Sequence, residues 1–332
     1  MATSTWKDSK TSVLRTDRCS KTLLAIAGPT GSGKTEISIL LAQKYGCPVV
    51  NCDSRQIYKE LPIGTAAPTA EERQQAKHYF VGTHTLTEDY NAGQYERDAV
   101  ALLTTLMQQT TANPFAILSG GSMMYMDAVC YGLDDIPSVP AGTREQVLNE
   151  YRSNGLEWLQ QAVKKADPLY FRTMADPQNP QRLLHALEIT RHTGLPYSSF
   201  RKQTATTYRQ RPWRLVKIGL DIPRDILYQR INQRVDKMLE KGLVEEARQA
   251  TEPWITKDTT AMPNSLRTVG YNELTACFRG EYTLAQAIVK IKQNSRRYAK
   301  RQLTWLRRQT DIHWINRLLP DETIIQQIDR LI

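Results

Sequence analysis

An α/β fold with a parallel-sheet core, a helical insertion and a helix-rich, basic C-terminal part is predicted by three observations. Short apolar strand-like runs alternate with helical patterns over residues 22–118 and again over 215–241, the signature of a parallel α/β sheet. Those runs end in glycine, hydroxyl or acidic residues, which is where such sheets bind ligands. Between them, residues 133–208 carry helical patterns and no convincing strand. At 332 residues the chain can bury one large core, or a core with a smaller partner.

The first run, residues 22–27 (Thr-Leu-Leu-Ala-Ile-Ala), reads as a buried strand. It leads into Gly28-Pro29-Thr30-Gly31-Ser32-Gly33-Lys34-Thr35, a full match to G-x-x-x-x-G-K-[ST], and then into helical periodicity over 35–44. Strand, glycine loop and helix are the context of a P-loop, the loop of ATP-binding and other nucleotide-binding sites, so the core is expected to be P-loop NTPase-like. Glycines let backbone N–H groups converge on phosphate oxygens, and the helix N-terminus adds partial positive charge. Lys34 would reach the terminal phosphates and the Thr35 hydroxyl would hold Mg²⁺. The loop specifies a diphosphate or triphosphate, not the molecule that carries it.

The second strand, within residues 47–54, ends at Asp53. That carboxylate is either a base or Mg²⁺ ligand beside bound phosphates, or a turn residue capping the next helix. A helical pattern covers 94–110, and the apolar run 115–118 ends in Ser119-Gly120-Gly121-Ser122. There the glycines allow close approach of a ligand and Ser122 is a candidate helix cap. An Asp that would organise Mg²⁺ in an ordinary P-loop ATPase is not at this position.

The insertion opens with a Pro/Asp loop at 134–140 and carries helical patterns at 142–153, 155–166 and 180–193. After a strand candidate at 215–220, residues 225–241 form an amphipathic helix with Leu227, Ile231, Val235, Met238 and Leu239 as its apolar stripe. Arg230 and Arg234 share one face of it, either as surface charges or as rigid guanidiniums for a diphosphate. The stretch 224–308 is helix-rich, with a loop expected at 251–265. From Glu281 to Thr310 there is one acid against eight bases: Lys290, Lys292, Arg296, Arg297, Lys300, Arg301, Arg307 and Arg308. Tyr298 and Trp305 interleave with them. So dense a basic run with aromatics reads as a track for a nucleic-acid backbone, and the net charge of +10 agrees.

Other features exclude classes. With 40% apolar and 23% charged residues, the composition is that of a soluble globular protein. No apolar run approaches the ~18 residues of a membrane span. The first twenty residues are polar, mix both charge signs and lack an apolar segment, so a disordered tail is expected rather than a secretory signal. Asp8 and Asp17 argue against an organelle transit peptide. Five cysteines, odd in number and without a C-x-x-C pair, fit a reducing cytoplasm and give no zinc-site spacing. The five histidines are scattered and form no metal pattern; His78 and His313 read as structural.

In order and spacing these motifs resemble the tRNA dimethylallyltransferase family, also called the tRNA isopentenyltransferases. The matching residues are the phosphate loop at 28–35, Asp-Ser-Arg-Gln-Ile-Tyr at 53–58, Ile-Gly-Thr-Ala at 63–66 and Gly-Gly-Ser-Met-Met-Tyr at 120–125. They continue with Asn-Pro-Gln-Arg-Leu-Leu-His-Ala-Leu-Glu at 179–188, Arg230 and Arg234, Arg-Thr-Val-Gly-Tyr at 267–271 and Lys-Arg-Gln-Leu-Thr-Trp-Leu-Arg at 300–307. The likeness spans roughly residues 20–310.

The resemblance implies transfer of a dimethylallyl group from dimethylallyl diphosphate to N6 of adenosine 37 in tRNA, with Mg²⁺ as cofactor. It implies Asp53 as general base, Arg234 and Lys34 as catalytic cations, and Gly28 to Thr35 as the diphosphate site. Contacts with tRNA would come from Asp53, Ser54, Arg55, Gln56, Ser122 and Arg144. Others would come from Gln181, Arg182, Leu183, Leu184 and His185, from Arg267, Gly270, Tyr271 and Asn272, and from Lys300, Arg301 and Arg307. The expected organisation is a tail (1–20), a core (21–132 and 209–332) and an insertion (133–208) that embraces the anticodon stem. A bacterial-type, cytoplasmic monomer without a membrane segment is implied, because the C-terminal zinc finger of eukaryotic relatives is not found.

Four positions depart from the family pattern: Ser122 for Thr, His185 for Arg, Pro180 for Asp and Ala67 for Lys. They bear on details of the contacts, not on the reaction. The alternative is a P-loop small-molecule kinase or NTPase, which leaves the basic track and the insertion without a use. A prenyltransferase of free adenine nucleotide would not need the track either, and an RNA-binding protein with a nucleotide switch would leave RNA mass unchanged.

Overall fold

The computed structural model describes residues 21–109, 114–201, 210–255 and 262–332. The expected N-terminal tail, and residues 256–261 of the sequence-predicted loop at 251–265, lie outside them. The chain forms two compact units, one of residues up to Met126 together with Arg211–Ile332, the other Asp127–Gln210.

The first unit is built on a six-stranded parallel sheet of order β3-β2-β4-β1-β5-β6. The strands are β1 (Thr22–Ala27), β2 (Val49–Asn51), β3 (His78–Tyr79), β4 (Phe115–Ser119), β5 (Arg214–Asp221) and β6 (Ile312–Asn316). Leu23, Leu24, Ala25 and Ile26 of β1 are wholly buried, as are Ala116, Ile117 and Leu118 of β4. A strand covered on both faces needs continuous rather than alternating apolar residues, which is why these runs are legible in the sequence. In the order of strands, β1 leads across β4 to β2, and β4 leads back across β1 to β5. That reversal opens the crevice at the carboxyl ends.

Helix α1 (Lys34–Tyr45) follows the glycine loop and stops at Gly46, whose left-handed backbone (φ 58°) returns its N–H to Ala42 and Gln43. Helices α2 (Ala70–Gln75) and α3 (Ala92–Gln109) precede β4, and α4 (Met123–Tyr131) follows it. After β5 come α8 (Arg224–Glu240), α9 (Leu243–Ile255), α10 (Tyr271–Phe278) and α11 (Leu284–Leu306), and α12 (Asp321–Asp329) closes the chain. One apolar cluster packs α1, the sheet and α12; a second gathers Ile57, Leu61, Val235, Leu243, Leu266, Tyr271 and Ile291 from the helical side.

Strands β3 and β6 and helices α2 and α12 were not read from sequence. Strand β3 spans only two residues, and β6 is broken by the exposed His313 and Asn316, as suits an edge strand. Helix α9 runs to Ile255, inside the segment expected to be loop, with Pro253 near its end.

The second unit holds α5 (Ala141–Ala166), α6 (Pro168–Thr173) and α7 (Pro180–Thr193) around Val147, Leu159, Val163, Leu183, Leu184 and Leu187. Two helical patterns were expected where α5 runs; they meet at Gly155, whose φ of 78° breaks the helical backbone. The unit extends beyond 133–208 at both ends. Helix α4 stays apolar across its start, so no compositional shift marks the division. Pro180, one of the departures, stands in the first turn of α7 behind the Asn179 cap, where a missing N–H costs nothing.

Asp167 is buried (1% exposed) and caps α6 by accepting the Tyr170 N–H at 2.9 Å. It also accepts the Ser198 N–H at 2.6 Å and the Ser198 hydroxyl at 2.8 Å. Asp167→Ala strands these donors, so a loss of about 2–3 kcal/mol is expected in urea unfolding monitored by circular dichroism.

Candidate active site

The sheet register decides what meets at the carboxyl edge. Ser119 of β4 is the register partner of Ile26 in β1 and of Asn51 in β2. The glycine loop, the Asp53 turn and the Gly120-Gly121 loop therefore leave the sheet side by side. They line one cleft of about 1010 Å³, together with Arg230, Arg234, Arg267 and Asn272, and with Tyr298, Arg301 and Gln302 of α11.

The phosphate loop is fixed by its own backbone and by Arg317. Gly33 has φ of 84°, in the left-handed region, and a Cβ there would stand 2.7 Å from the Arg317 Nε. Arg317 itself is buried and pairs with Glu36 and, at 3.0 Å, with Asp321. Lys34 bends back over the loop and donates to the carbonyls of Gly28 (3.0 Å) and Pro29 (2.9 Å). Burial, and then the Arg234 charge, lower the Lys34 pKa to about 8, although Asp53 and Cys52 pull it upward. Burial likewise lowers the pKa of Arg234, countered by Asp53 and Glu72.

Asp53 anchors its own turn: Oδ1 accepts the Arg55 N–H at 2.9 Å. Asp53 is thus a turn carboxylate that lines the cleft; it caps no helix, since the next one begins at Ala70 behind its own Thr69 cap. Ser122 spends its hydroxyl on the same turn, accepting the Ser54 N–H (2.8 Å) and lying 2.7 Å from the Ser54 Oγ. Gln56 donates to the carbonyls of Thr65 (3.1 Å) and Ala66 (3.0 Å), and Arg234 donates to Thr65 at 3.3 Å. This ties the 63–67 segment, including Ala67, to the cleft wall.

Several expected contacts are corrected. Leu183 and Leu184 are buried in the insertion's own core, and Tyr271 is wholly buried with its hydroxyl on Glu246 at 2.5 Å. Their side chains cannot face an RNA, because burying them is what holds those helices. Gly270 lines the cleft, although its N–H is taken by Glu273 at 2.7 Å. Exposed neighbours remain: Gln181, Arg182 and His185 on α7, and Arg267 and Asn272 at the cleft. Arg144 lies 4.0 Å from Glu188 and is half exposed.

The basic track also divides. Lys292 pairs with Asp236 at 2.5 Å and Arg296 donates to Asn232 at 2.6 Å, so these two fasten α11 to α8. Arg301 faces the cleft, whereas Lys300 and Arg307 line a second recess of about 610 Å³ with Arg224, Tyr228, Thr304 and Asn316. Arg307 sits 3.7 Å from Asp221 across it.

Sequence reasoning passed over Glu246, which accepts the N–H groups of Ile63 (2.7 Å) and Gly64 (2.8 Å), and Gln302, whose amide joins two loops of the site. Glu246 carries no motif. Gln302 lies inside the 300–307 motif, where the signal is an uncharged side chain of hydrogen-bonding type amid a basic run.

The Lys34 geometry yields a pH prediction. A lysine with a pKa near 8 must be protonated to meet a diphosphate, so anion affinity falls as pH rises past that value. Calorimetric titration of inorganic pyrophosphate should show this fall, approaching about tenfold per pH unit, in the wild type relative to Lys34→Arg, which keeps its charge.

Comparison with known proteins gives one answer. Residues 56–309 match the model of the IPP transferase family. The tRNA dimethylallyltransferase 2 of Parabacteroides distasonis is 48% identical over 301 residues, covering 91% of this chain and 95% of that protein. The tRNA dimethylallyltransferase 1 of Phocaeicola vulgatus is also 48% identical, with the same coverage. Among solved structures, the tRNA isopentenylpyrophosphate transferase of Bacillus halodurans is 33% identical, with a TM-score of 0.66 and 94% of this chain and 95% of that one covered. A eukaryotic dimethylallyltransferase acting on tRNA is 26% identical, with a TM-score of 0.73 and coverage of 90% and 74%. With a P-loop NTPase-like core, a family match over most of its length and relatives this close, the chain belongs to the IPP transferase family, the tRNA dimethylallyltransferases.

Proposed function

We propose that this enzyme transfers the dimethylallyl group of dimethylallyl diphosphate to N6 of adenosine 37 in tRNA, giving N6-(dimethylallyl)adenosine. The observation that carries the reading is one cleft lined by a phosphate loop, a carboxylate and two partly buried cations, Lys34 and Arg234, whose pKa values desolvation lowers. Its relatives bear names of prenyl transfer to tRNA and not of phosphoryl transfer, so the kinase reading gains no support.

In the proposed reaction a bond forms between N6 and C1 of the dimethylallyl group while the C1–O bond to diphosphate breaks. The adenine amino group is a weak nucleophile because its lone pair is delocalised into the ring. Asp53, accepting the proton that leaves N6, offsets that weakness. The diphosphate departs with growing negative charge, met by Lys34, Arg234 and the backbone N–H groups of the phosphate loop. Desolvation has already raised the cost of holding these cations unpaired, so an arriving anion gains more from them than it would at a surface.

Mg²⁺ fits the oxygen donors present. The Thr35 hydroxyl and the Asp53 carboxylate line the cleft together, and among the described residues no group of three or more His, Cys, Asp or Glu could hold a metal alone. Thr35 would hold the ion, which would supply charge to offset that of the leaving diphosphate.

The proposed RNA contacts are the exposed Arg267, Asn272, Lys300, Arg301 and Arg307, the half-buried Arg55 of the cleft and, on the insertion, Gln181, Arg182, His185 and Arg144. A flipped base costs less to extract from an anticodon loop than from a duplex. The proposal includes a monomer acting in the cytoplasm. No described helix is long and apolar enough to cross a membrane.

Two outcomes are expected. Nucleoside mass analysis of unmodified tRNA incubated with enzyme, Mg²⁺ and dimethylallyl diphosphate should show one added dimethylallyl group on adenosine 37. Asp53→Ala should slow the transfer by about 10²–10⁴-fold, and a wild type that adds nothing overturns the reading. The double variant Lys300→Ala/Arg307→Ala should raise KM for tRNA roughly tenfold and flatten the salt dependence of binding by about two phosphate contacts, with kcat little changed.

A further inference from the structure

We propose that Gln302 is a positioning residue of the transfer reaction, one amide that sets the spacing between the phosphate loop and the loop beneath the general base. The inference rests on the prenyl-transfer reading above. Gln302 projects from α11 and is 1% exposed. Its Oε1 accepts the Thr30 N–H of the phosphate loop at 2.8 Å, and its Nε2 donates to the Gly121 carbonyl at 2.7 Å. Tyr298, one turn earlier on α11, donates its hydroxyl to the same carbonyl at 3.1 Å.

These two attachment points belong to the two halves of the chemistry. Thr30 lies in the loop that receives the leaving diphosphate. Gly121 lies under Asp53: a Cβ built on Gly121 would stand 2.7 Å from the Asp53 Oδ2 and 3.2 Å from the Gln302 Nε2. Gly120 is pressed still closer, its Cβ position only 2.5 Å from the Cys52 carbonyl carbon and 2.6 Å from the Asp53 nitrogen. The β4 loop therefore cannot shift without moving the Asp53 turn. A side chain that fixes this loop and the phosphate loop together fixes the base against the leaving group.

Only an amide serves both ends, because one side must accept from an N–H while the other donates to a carbonyl. A carboxylate at this position accepts at both ends and repels the Gly121 oxygen. An aliphatic side chain leaves a buried N–H unmatched. Since the reaction needs N6, C1 and the bridging oxygen in line, a small displacement of either loop is felt in kcat more than in RNA binding, which also draws on Lys300 and Arg307 of the second recess.

The test uses the full chain, tRNA transcripts, Mg²⁺ and dimethylallyl diphosphate. Gln302→Leu is expected to lower kcat by roughly 10–100-fold, with KM for tRNA within about threefold of wild type. Gln302→Glu keeps the acceptor for Thr30 but sets a second carboxylate beside Asp53, among Lys34, Arg234 and Tyr298. The acid limb of its kcat–pH profile should move to higher pH, which a loss of folded protein does not produce. If Gln302→Leu does not fold, Tyr298→Phe, which removes one of the two donors to the Gly121 carbonyl and leaves the phosphate loop untouched, should still lower kcat by a few-fold while diphosphate affinity is kept. Folded Gln302→Leu with wild-type kcat, or Gln302→Glu with an unmoved acid limb, overturns this inference alone. A wild type inactive on tRNA overturns the prenyl-transfer reading and this inference with it.

Discussion

The parallel register at Ser119 is the constraint on which the rest of the site depends. One residue of β4 pairs with Ile26 on one side and Asn51 on the other, so three strand ends finish level. Backbone hydrogen bonds set that alignment, and the close packing of side chains on both faces holds it, since a slip of one residue would exchange the side chains of the two packed faces. Level ends deliver a glycine loop, an acidic turn and a close-packed Gly-Gly loop to one edge. Had β4 been offset, the phosphate loop and Asp53 would have opened onto different places.

The charges of the cleft then follow from depth. Lys34 and Arg234 are held where water is scarce, and each depresses or is depressed by its surroundings; Asp53 is the anion that eases both. Paired cations near one carboxylate leave an excess of positive charge, a state that an anion relieves. Lys34 meanwhile satisfies itself on the Gly28 and Pro29 carbonyls, which are local and weak partners compared with a diphosphate. The lysine is therefore stored close to where it acts.

Helix α11 shows how one element serves several ends. One side carries Tyr298, Arg301 and Gln302 into the cleft, another presents Lys300 and Arg307 to the second recess, and Lys292 and Arg296 fasten the rod to α8. A basic run is thus not one surface. At 3.6 residues per turn, neighbours in sequence point in different directions.

The amino-acid sequence by itself determined the central strands, the phosphate loop, Asp53 and the helical character of the insertion. Each depends on local pattern: continuous apolar runs for doubly covered strands, glycines at fixed spacing, and helical periodicity. Short edge strands such as β3 and β6 were illegible because their pairing partners, not their residues, make them strands. The same limit applied to the site. Whether Leu183, Leu184 and Tyr271 face an RNA or a core, which of eight bases are spent on packing, and that Gln302 reaches both Thr30 and Gly121 are contacts between segments far apart in the chain. Only the tertiary structure decided them, because a side chain's partner is set by what packs against it.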